Sequence, residues 1–175
     1  MRIKNKLKET DKSIRRKILV IDDEQGVIDS LNVYLGKEGY IVEGETNPLL
    51  AIEKVKNNHY DIIILDYIMM PINGDKVIEE IRKFNNDIYI IVLTGHKSVA
   101  PPIETIRRLK IQGYLEKTNK FEQILLMVES SVKSIIQLEE IKRKKKEIEE
   151  TYLESIETLR KVVEAKDSYT LRTFR

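Results

Sequence analysis

Apolar residues follow two rhythms along this chain. Three short, nearly unbroken runs stand out: Ile18-Leu19-Val20-Ile21, Ile62-Ile63-Ile64-Leu65 and Ile88-Tyr89-Ile90-Ile91-Val92-Leu93. Runs of four to six residues rich in Ile and Val predict strands buried on both faces, as in a parallel sheet. Two weaker strands are predicted at Tyr40 to Gly44 and Gly113 to Glu116. Between them the spacing becomes helical, placing Val27, Leu31, Tyr34 and Leu35 on one face, then Val77, Ile78 and Ile81, then Ile103, Ile106 and Leu109. Strand and helix alternate five times from residue 17 to about 136. That order predicts an α/β fold, a doubly wound five-stranded parallel sheet, whose functional groups gather at the carboxyl ends of the strands.

From Phe121 to Lys166 the chain has no Gly and no Pro and is built of Glu, Lys, Ile and Leu. Leu138, Ile141, Ile148, Tyr152, Leu159 and Val162 fill six of eight a/d heptad positions, and Lys145 and Ser155 fill the other two. The last helix of the domain is therefore expected to run on as a coiled coil and to pair with a second copy of the chain. The block Lys142-Arg143-Lys144-Lys145-Lys146, followed by Glu147, Glu149 and Glu150, reads as a solvated helix surface with i,i+4 pairs. The expected layout is a basic extension over 1–16, a domain over 17–137, a coiled-coil helix over 138–168 and a truncated tail over 169–175.

Composition narrows the chemistry. With 175 residues and 41% hydrophobic, the chain can build one α/β core with length to spare. The absence of cysteine excludes disulfides, thiolate metal sites and cysteine nucleophiles. His59 and His96 are too few and too scattered for a histidine metal centre. A net charge of +2 predicts no broad nucleic-acid footprint. Met1 to Lys17 holds eight Lys or Arg but no apolar stretch of signal-peptide type. Nothing approaches the roughly 20 apolar residues of a membrane span, so a cytoplasmic protein is expected.

The predicted strands end in chemistry. The first ends in Asp22-Asp23, the third in Asp66, the fourth in Thr94-Gly95 and the fifth in Lys117. A parallel sheet brings these to one edge, where like carboxylates repel by about 4 kcal/mol per pair at 4 Å and an effective dielectric near 20. Such a cluster needs a cation, and oxygen ligands without histidine or thiolate point to a hard ion such as Mg²⁺. Beside that ion Asp66 can act as a nucleophile toward a phosphoryl group and form an aspartyl phosphate, with the Thr94 hydroxyl and the Lys117 charge serving the added oxygens.

These residues resemble the receiver domains of two-component response regulators over about residues 16 to 137. The resemblance is carried by Val20-Ile21-Asp22-Asp23-Glu24, Asp66 in Ile64-Leu65-Asp66, Gly74 eight residues later, Thr94 in Val92-Leu93-Thr94-Gly95, and Lys117 in Gly113-Tyr114-Leu115-Glu116-Lys117. It implies a flavodoxin-like receiver fold that takes a phosphoryl group onto Asp66 from a sensor histidine kinase or phosphotransfer protein. It also implies Asp23 as a direct Mg²⁺ ligand, Asp22 as a second acid acting partly through water, and the Ile68 backbone carbonyl as a further ligand. Thr94 and Lys117 would hold the phosphoryl group, and Tyr114 matches the aromatic that turns inward when the threonine is drawn toward it.

Two positions depart from the family. Met70 stands where proline is usual, with Pro71 one residue later, and Thr118 follows the lysine where proline is usual. A phosphatase of the haloacid-dehalogenase type would want an acid two residues after Asp66, where Ile68 stands. A degenerate receiver acting only in dimerisation is the other alternative. Taken singly, the residues also have plain readings. Asp22-Asp23 reads as a helix N-cap, Thr94-Gly95 as a strand end and Tyr114 as packing. His96 reads as a solvated loop residue, His59 as a helix-end residue, and Met69 and Met70 as packing or lining the loop. Finally, Val163-Glu164-Ala165-Lys166-Asp167-Ser168-Tyr169-Thr170 resembles the opening of an HD-GYP (cyclic-di-GMP phosphodiesterase) domain. Where that family has Gly-His this chain has Arg172 and Thr173, so no phosphodiesterase activity is expected from it.

Overall fold

A computed structural model of the chain describes residues 15–95, 103–117 and 121–173, with side chains as far as Glu164. Most of the basic extension, His96, Thr118 and the last two residues lie outside the described residues. The elements in order are β1 (Lys17–Ile21), α1 (Gln25–Lys37), β2 (Ile41–Glu45), α2 (Pro48–Asn57), β3 (Ile62–Asp66), α3 (Gly74–Arg82), β4 (Tyr89–Thr94), α4 (Ile103–Arg108), β5 (Gly113–Glu116) and α5 (Phe121–Thr173). The five strands form one parallel sheet in the order β2-β1-β3-β4-β5. The winding direction reverses between β1 and β3, the crevice where sheets of this kind place their sites.

The three apolar runs become the three central strands, because only strands covered on both faces can be apolar at every position. Every residue of β3 is buried, as are four of the five in β1 and five of the six in β4. Register follows. Ile21 pairs with Leu65, so Asp22 and Asp66 come level one residue further on. Asp66 pairs with Leu93 and Thr94 with Glu116, so Thr94 and then Lys117 follow at the same edge.

Helix α1 buries Ile28, Leu31 and Leu35, while Val27 and Tyr34 are only half-buried. The expected stripe is thus shifted by one residue at its start. The reason lies in β2, where a Cβ on Gly44 would fall 2.1 Å from Ile28 Cγ2, so the isoleucine seats in the gap the glycine leaves. Asn47 caps α2 by accepting from the N–H groups of Leu49 and Leu50, and Pro48 opens the helix. In α3 the expected face holds, with Val77, Ile78 and Ile81 buried. Helix α4 behaves differently. Ile103 is 68% exposed, Ile106 is half-buried, and only Leu109, just past the helix, reaches the core. A helix of six residues makes fewer than two turns, too short to lay a full stripe on the sheet. The Arg82 guanidinium donates to the carbonyls of Asn85, Ile88, Leu109 and Lys110, tying together the loops that feed β4 and β5.

The chain divides into two compact units, the first ending at Val132 and the second opening at Lys133, within α5. In the second unit the helix is continuous to Thr173 and includes the stretch from Val163 to Thr170. Leu138, Ile141, Ile148, Tyr152, Leu159 and Val162 are all exposed. The basic block forms the expected i,i+4 pairs, among them Arg143 with Glu147 and Lys146 with Glu150. Among the described residues no helix is long and apolar enough to cross a membrane.

Candidate functional site

Four of the five strand ends contribute to a single acidic pocket. Asp22 and Asp23 follow β1, Asp66 is the last residue of β3, and one carboxylate oxygen from each lies within 4.8 Å of the others. Asp22 and Asp66 are buried, at 1% and 5% exposure, whereas Asp23 is open to solvent. Lys117, one residue past β5, reaches into the same pocket. Its Nζ lies 2.7 Å from Asp66 Oδ2, 2.9 Å from Asp22 Oδ2 and 3.4 Å from Glu24 Oε1. The lysine is placed by its own backbone, whose N–H donates to the Thr94 carbonyl at 2.6 Å. Thr94 itself is fully buried at the end of β4. Two further backbone donors orient the acids: Glu24 N–H donates to Asp22 Oδ1 and Ile68 N–H to Asp66 Oδ1.

The electrostatics follow from burial. Removal from water pushes the Asp22 carboxyl above its ordinary range, against the hydrogen bond from Lys117, which pulls it down. Burial pulls the Lys117 ammonium down, but its hydrogen bonds to Asp66 and Asp22 outweigh this and hold it above its ordinary value. The lysine is therefore firmly charged. Even so, one ammonium serves two buried carboxylates, and Asp22 Oδ2 is a buried oxygen with no hydrogen-bond partner among the described residues; its contact with Lys117 at 2.9 Å is an ion pair. A buried acceptor with free lone pairs, in an all-oxygen donor set with an exposed neighbour in Asp23, fits the hard cation expected from the sequence, Mg²⁺.

The loop after β3 closes tightly on the pocket. Gly74 N–H donates to the Tyr67 carbonyl at 2.8 Å. A Cβ on Gly74 would stand 2.7 Å from the Asp66 carbonyl oxygen and 3.0 Å from Tyr67 Cα, both backbone atoms that cannot swing aside. Gly74→Ala is therefore expected to lower stability by about 1–3 kcal/mol, the usual range for overpacking. Urea denaturation measures this, and an unchanged midpoint would show that the loop yields freely.

The remaining predicted residues divide clearly. Ile68 lies at the pocket's edge, 42% exposed. Met69 is buried in the core and Met70 is exposed, so only the first packs. The Tyr114 ring packs against the core, and its hydroxyl is buried without a hydrogen-bond partner among the described residues. His59 stands beyond the end of α2, its ring exposed and 3.6 Å from the Asp61 carboxylate, away from the pocket residues. Two roles went unread in the sequence, although both residues stand among those that carry the family resemblance. Glu24 supplies a third carboxylate to Lys117, for which its place beside the acidic pair was the available signal. Gly74 acts by steric clearance, which no local pattern reveals.

Comparison with known proteins points the same way. The family model described as "Response regulator receiver domain" matches residues 18–129. The response regulator MprA of Mycobacterium sp. (strain KMS) is 32% identical over 109 residues, covering 62% of this chain and 47% of that protein. The transcriptional regulatory protein ZraR of Klebsiella oxytoca is 30% identical over 115 residues, covering 66% of this chain and 26% of that protein. The chain thus matches about half or less of the length of these curated relatives. Among solved structures, the response regulator protein TrrA of Thermotoga maritima, in complex with Mg²⁺-BeF, superposes with a TM-score of 0.61 at 31% identity, covering 66% of this chain and 98% of that one. A response regulator receiver domain protein from Clostridium thermocellum gives a TM-score of 0.63 at 26% identity, covering 70% and 98%. With acids, threonine and lysine meeting at the carboxyl edge of a 2-1-3-4-5 sheet, and the family model spanning the domain that makes that edge, this chain belongs to the response regulator receiver domain family.

Proposed function

We propose that this chain is a phosphorylation switch in which Asp66 accepts a phosphoryl group from the phosphohistidine of a sensor histidine kinase or phosphotransfer protein. The observation that carries this reading is the Asp66 carboxylate, buried to 5% exposure, within 4.8 Å of two further acids and 2.7 Å from Lys117. One Asp66 oxygen attacks phosphorus, and the bond from phosphorus to the donor imidazole nitrogen breaks, its electron pair leaving with the ring. Receiver domains bind Mg²⁺ at this acidic pocket; here Asp22, Asp23, Asp66 and the Ile68 carbonyl would hold the ion, which neutralises charge on the phosphoryl oxygens. Asp23, open to solvent, would be a direct ligand, and Asp22 would act in part through water. Lys117 turns from the carboxylates to a phosphoryl oxygen, and the Thr94 hydroxyl donates to another.

The response passes through Tyr114. Its buried hydroxyl has no hydrogen-bond partner among the described residues, so little holds the ring in place there and a small change at Thr94 can shift the balance. The readout is assembly. Residues 138–168 pair with those of a second copy, and the switch alters that pairing. A cytoplasmic setting fits this role.

The test is mass spectrometry of the protein after incubation with Mg²⁺ and acetyl phosphate. One phosphoryl group is expected, released by hydroxylamine as an acyl phosphate should be, and none when Mg²⁺ is chelated. Uptake that ignores the chelator, or a label that resists hydroxylamine, would overturn the proposal.

A further inference from the structure

Among the described residues, helix α4 is held to the domain chiefly at its last turn. None of the helix's own residues is buried, and Ile103 and Glu104 in its first turn are exposed. The exit from the helix is different. Leu109 is buried in the core, and the chain leaves through Lys110, whose φ of +50° lies in the left-handed region. Lys110 N–H donates to the Arg107 carbonyl and Ile111 N–H to the Ile106 carbonyl, the paired bonds that close a helix on a left-handed residue. Glycine is the usual occupant of that position, so a lysine is kept there only by what surrounds it.

Two side chains of α3, one turn apart, provide the hold. Arg82 donates from Nε to the Leu109 carbonyl at 3.1 Å and from Nη2 to the Lys110 carbonyl at 2.9 Å. Its Nη1 donates to the Asn85 and Ile88 carbonyls at 3.2 and 2.8 Å, so the same planar group also grips the loop between α3 and β4. A guanidinium can do this because its donors point in fixed directions from more than one edge; a single ammonium cannot serve both loops in that way. Its charge also suits the negative end of the α4 dipole. Glu79 adds a 2.8 Å ion pair with Arg108. Gln112 continues the hold toward β5, since Ile90 N–H donates to its side-chain oxygen at 2.7 Å and its own N–H donates to the Ile90 carbonyl at 3.0 Å.

We infer that Arg82 is the fixed point of α4: phosphorylation moves the first turn of this helix while residues 109–112 stay clamped to α3 and the start of β4. This rests on the switch reading above, in which the disturbance enters at Thr94 and Tyr114. Tyr114 and Ile106 pack against the same core cluster, so a change in the tyrosine ring bears on α4 on the free side of the clamp. Arg82 is a positioning residue. The four carbonyls it holds precede β4 or β5, at the edge of the sheet opposite the acidic pocket.

Amide hydrogen exchange on the full chain, without a phosphodonor, tests the clamp by itself. In Arg82→Lys the amides of Lys110, Ile111 and Gln112 are expected to exchange at least about ten-fold faster, while those of β3 keep the wild-type rate. An equal acceleration in β3, or none at 110–112, would overturn the clamp. The second measurement needs no change at Arg82. The chain has no cysteine, so Glu104→Cys can carry a single nitroxide on the first turn of α4. With Mg²⁺ and acetyl phosphate its spectrum is expected to change, while wild-type exchange at 110–112 stays within about two-fold. A bound phosphoryl group with an unchanged spectrum, or exchange at 110–112 that rises with the change in the nitroxide, would overturn the fixed point and leave the switch reading intact. No phosphoryl group in the mass spectrum would overturn the switch reading, and the motion of α4 with it, whatever the exchange of the resting protein shows.

Discussion

Asp66→Asn is expected to take up no phosphoryl group from acetyl phosphate in Mg²⁺, while remaining folded. The carboxylate is the nucleophile, and an amide oxygen of the same shape neither attacks phosphorus nor gives a stable product. The fold should survive because asparagine fills the same buried space and its oxygen can still accept from the Ile68 N–H. Lys117 keeps Asp22 and Glu24 as partners, and the repulsion between Asp22 and Asp66 is relieved. The net change in stability should thus be small, about 1 kcal/mol, the scale of one hydrogen bond. Intact-protein mass spectrometry with a parallel urea melt tests both halves. Labelling of the variant at the wild-type level would remove Asp66 from the mechanism.

Lys117→Met should do the opposite, weakening the fold more than it alters shape. Methionine keeps the apolar stem and deletes the ammonium, which leaves two buried carboxylates within 4.8 Å of each other without a counter-charge. Removing one partner of a buried ion pair costs about 3–5 kcal/mol, and the lower end applies because the lysine is 16% exposed. Mg²⁺ should restore most of the loss and bind the variant more tightly than wild type, since the competing cation is gone. The pH dependence has a definite sign. Burial already holds Asp22 above its ordinary range, and losing the ammonium raises it further. A group whose folded-state pKa is raised costs stability at high pH, and that cost disappears as pH falls and the folded state takes up the proton first. The deficit should therefore be full at neutral pH and shrink in acid. Urea melts with and without Mg²⁺ at two pH values measure it; a loss that Mg²⁺ fails to reduce would mean that the lysine does not compete for the metal's place.

The fold was legible in the sequence where local pattern and burial coincide. The run Ile62 to Leu65 and the strand Ile62–Asp66 agree to one residue, because a strand covered on both faces must be apolar at every step. Asp22, Asp66, Thr94 and Lys117 could be read as one site because parallel winding sends every strand end to the same edge. Helix faces were less secure. Ile28 rather than Val27 enters the core because Gly44, on another element, leaves the room. Ile103 stays exposed although its spacing matches a buried stripe, because the helix that carries it is too short to apply it.

What the amino-acid order determined alone was the set of chemical groups, their assignment to strand ends and the rhythm of the long helix, since these depend on neighbours a few residues apart. What only the tertiary structure decided was how the groups share charge. Lys117 divides its bonds among Asp66, Asp22 and Glu24, with the first two 51 and 95 residues away, and Gly74 clears space for the Asp66 backbone. Contacts at such separations are set by sheet register and loop closure, and no window along the chain contains both partners.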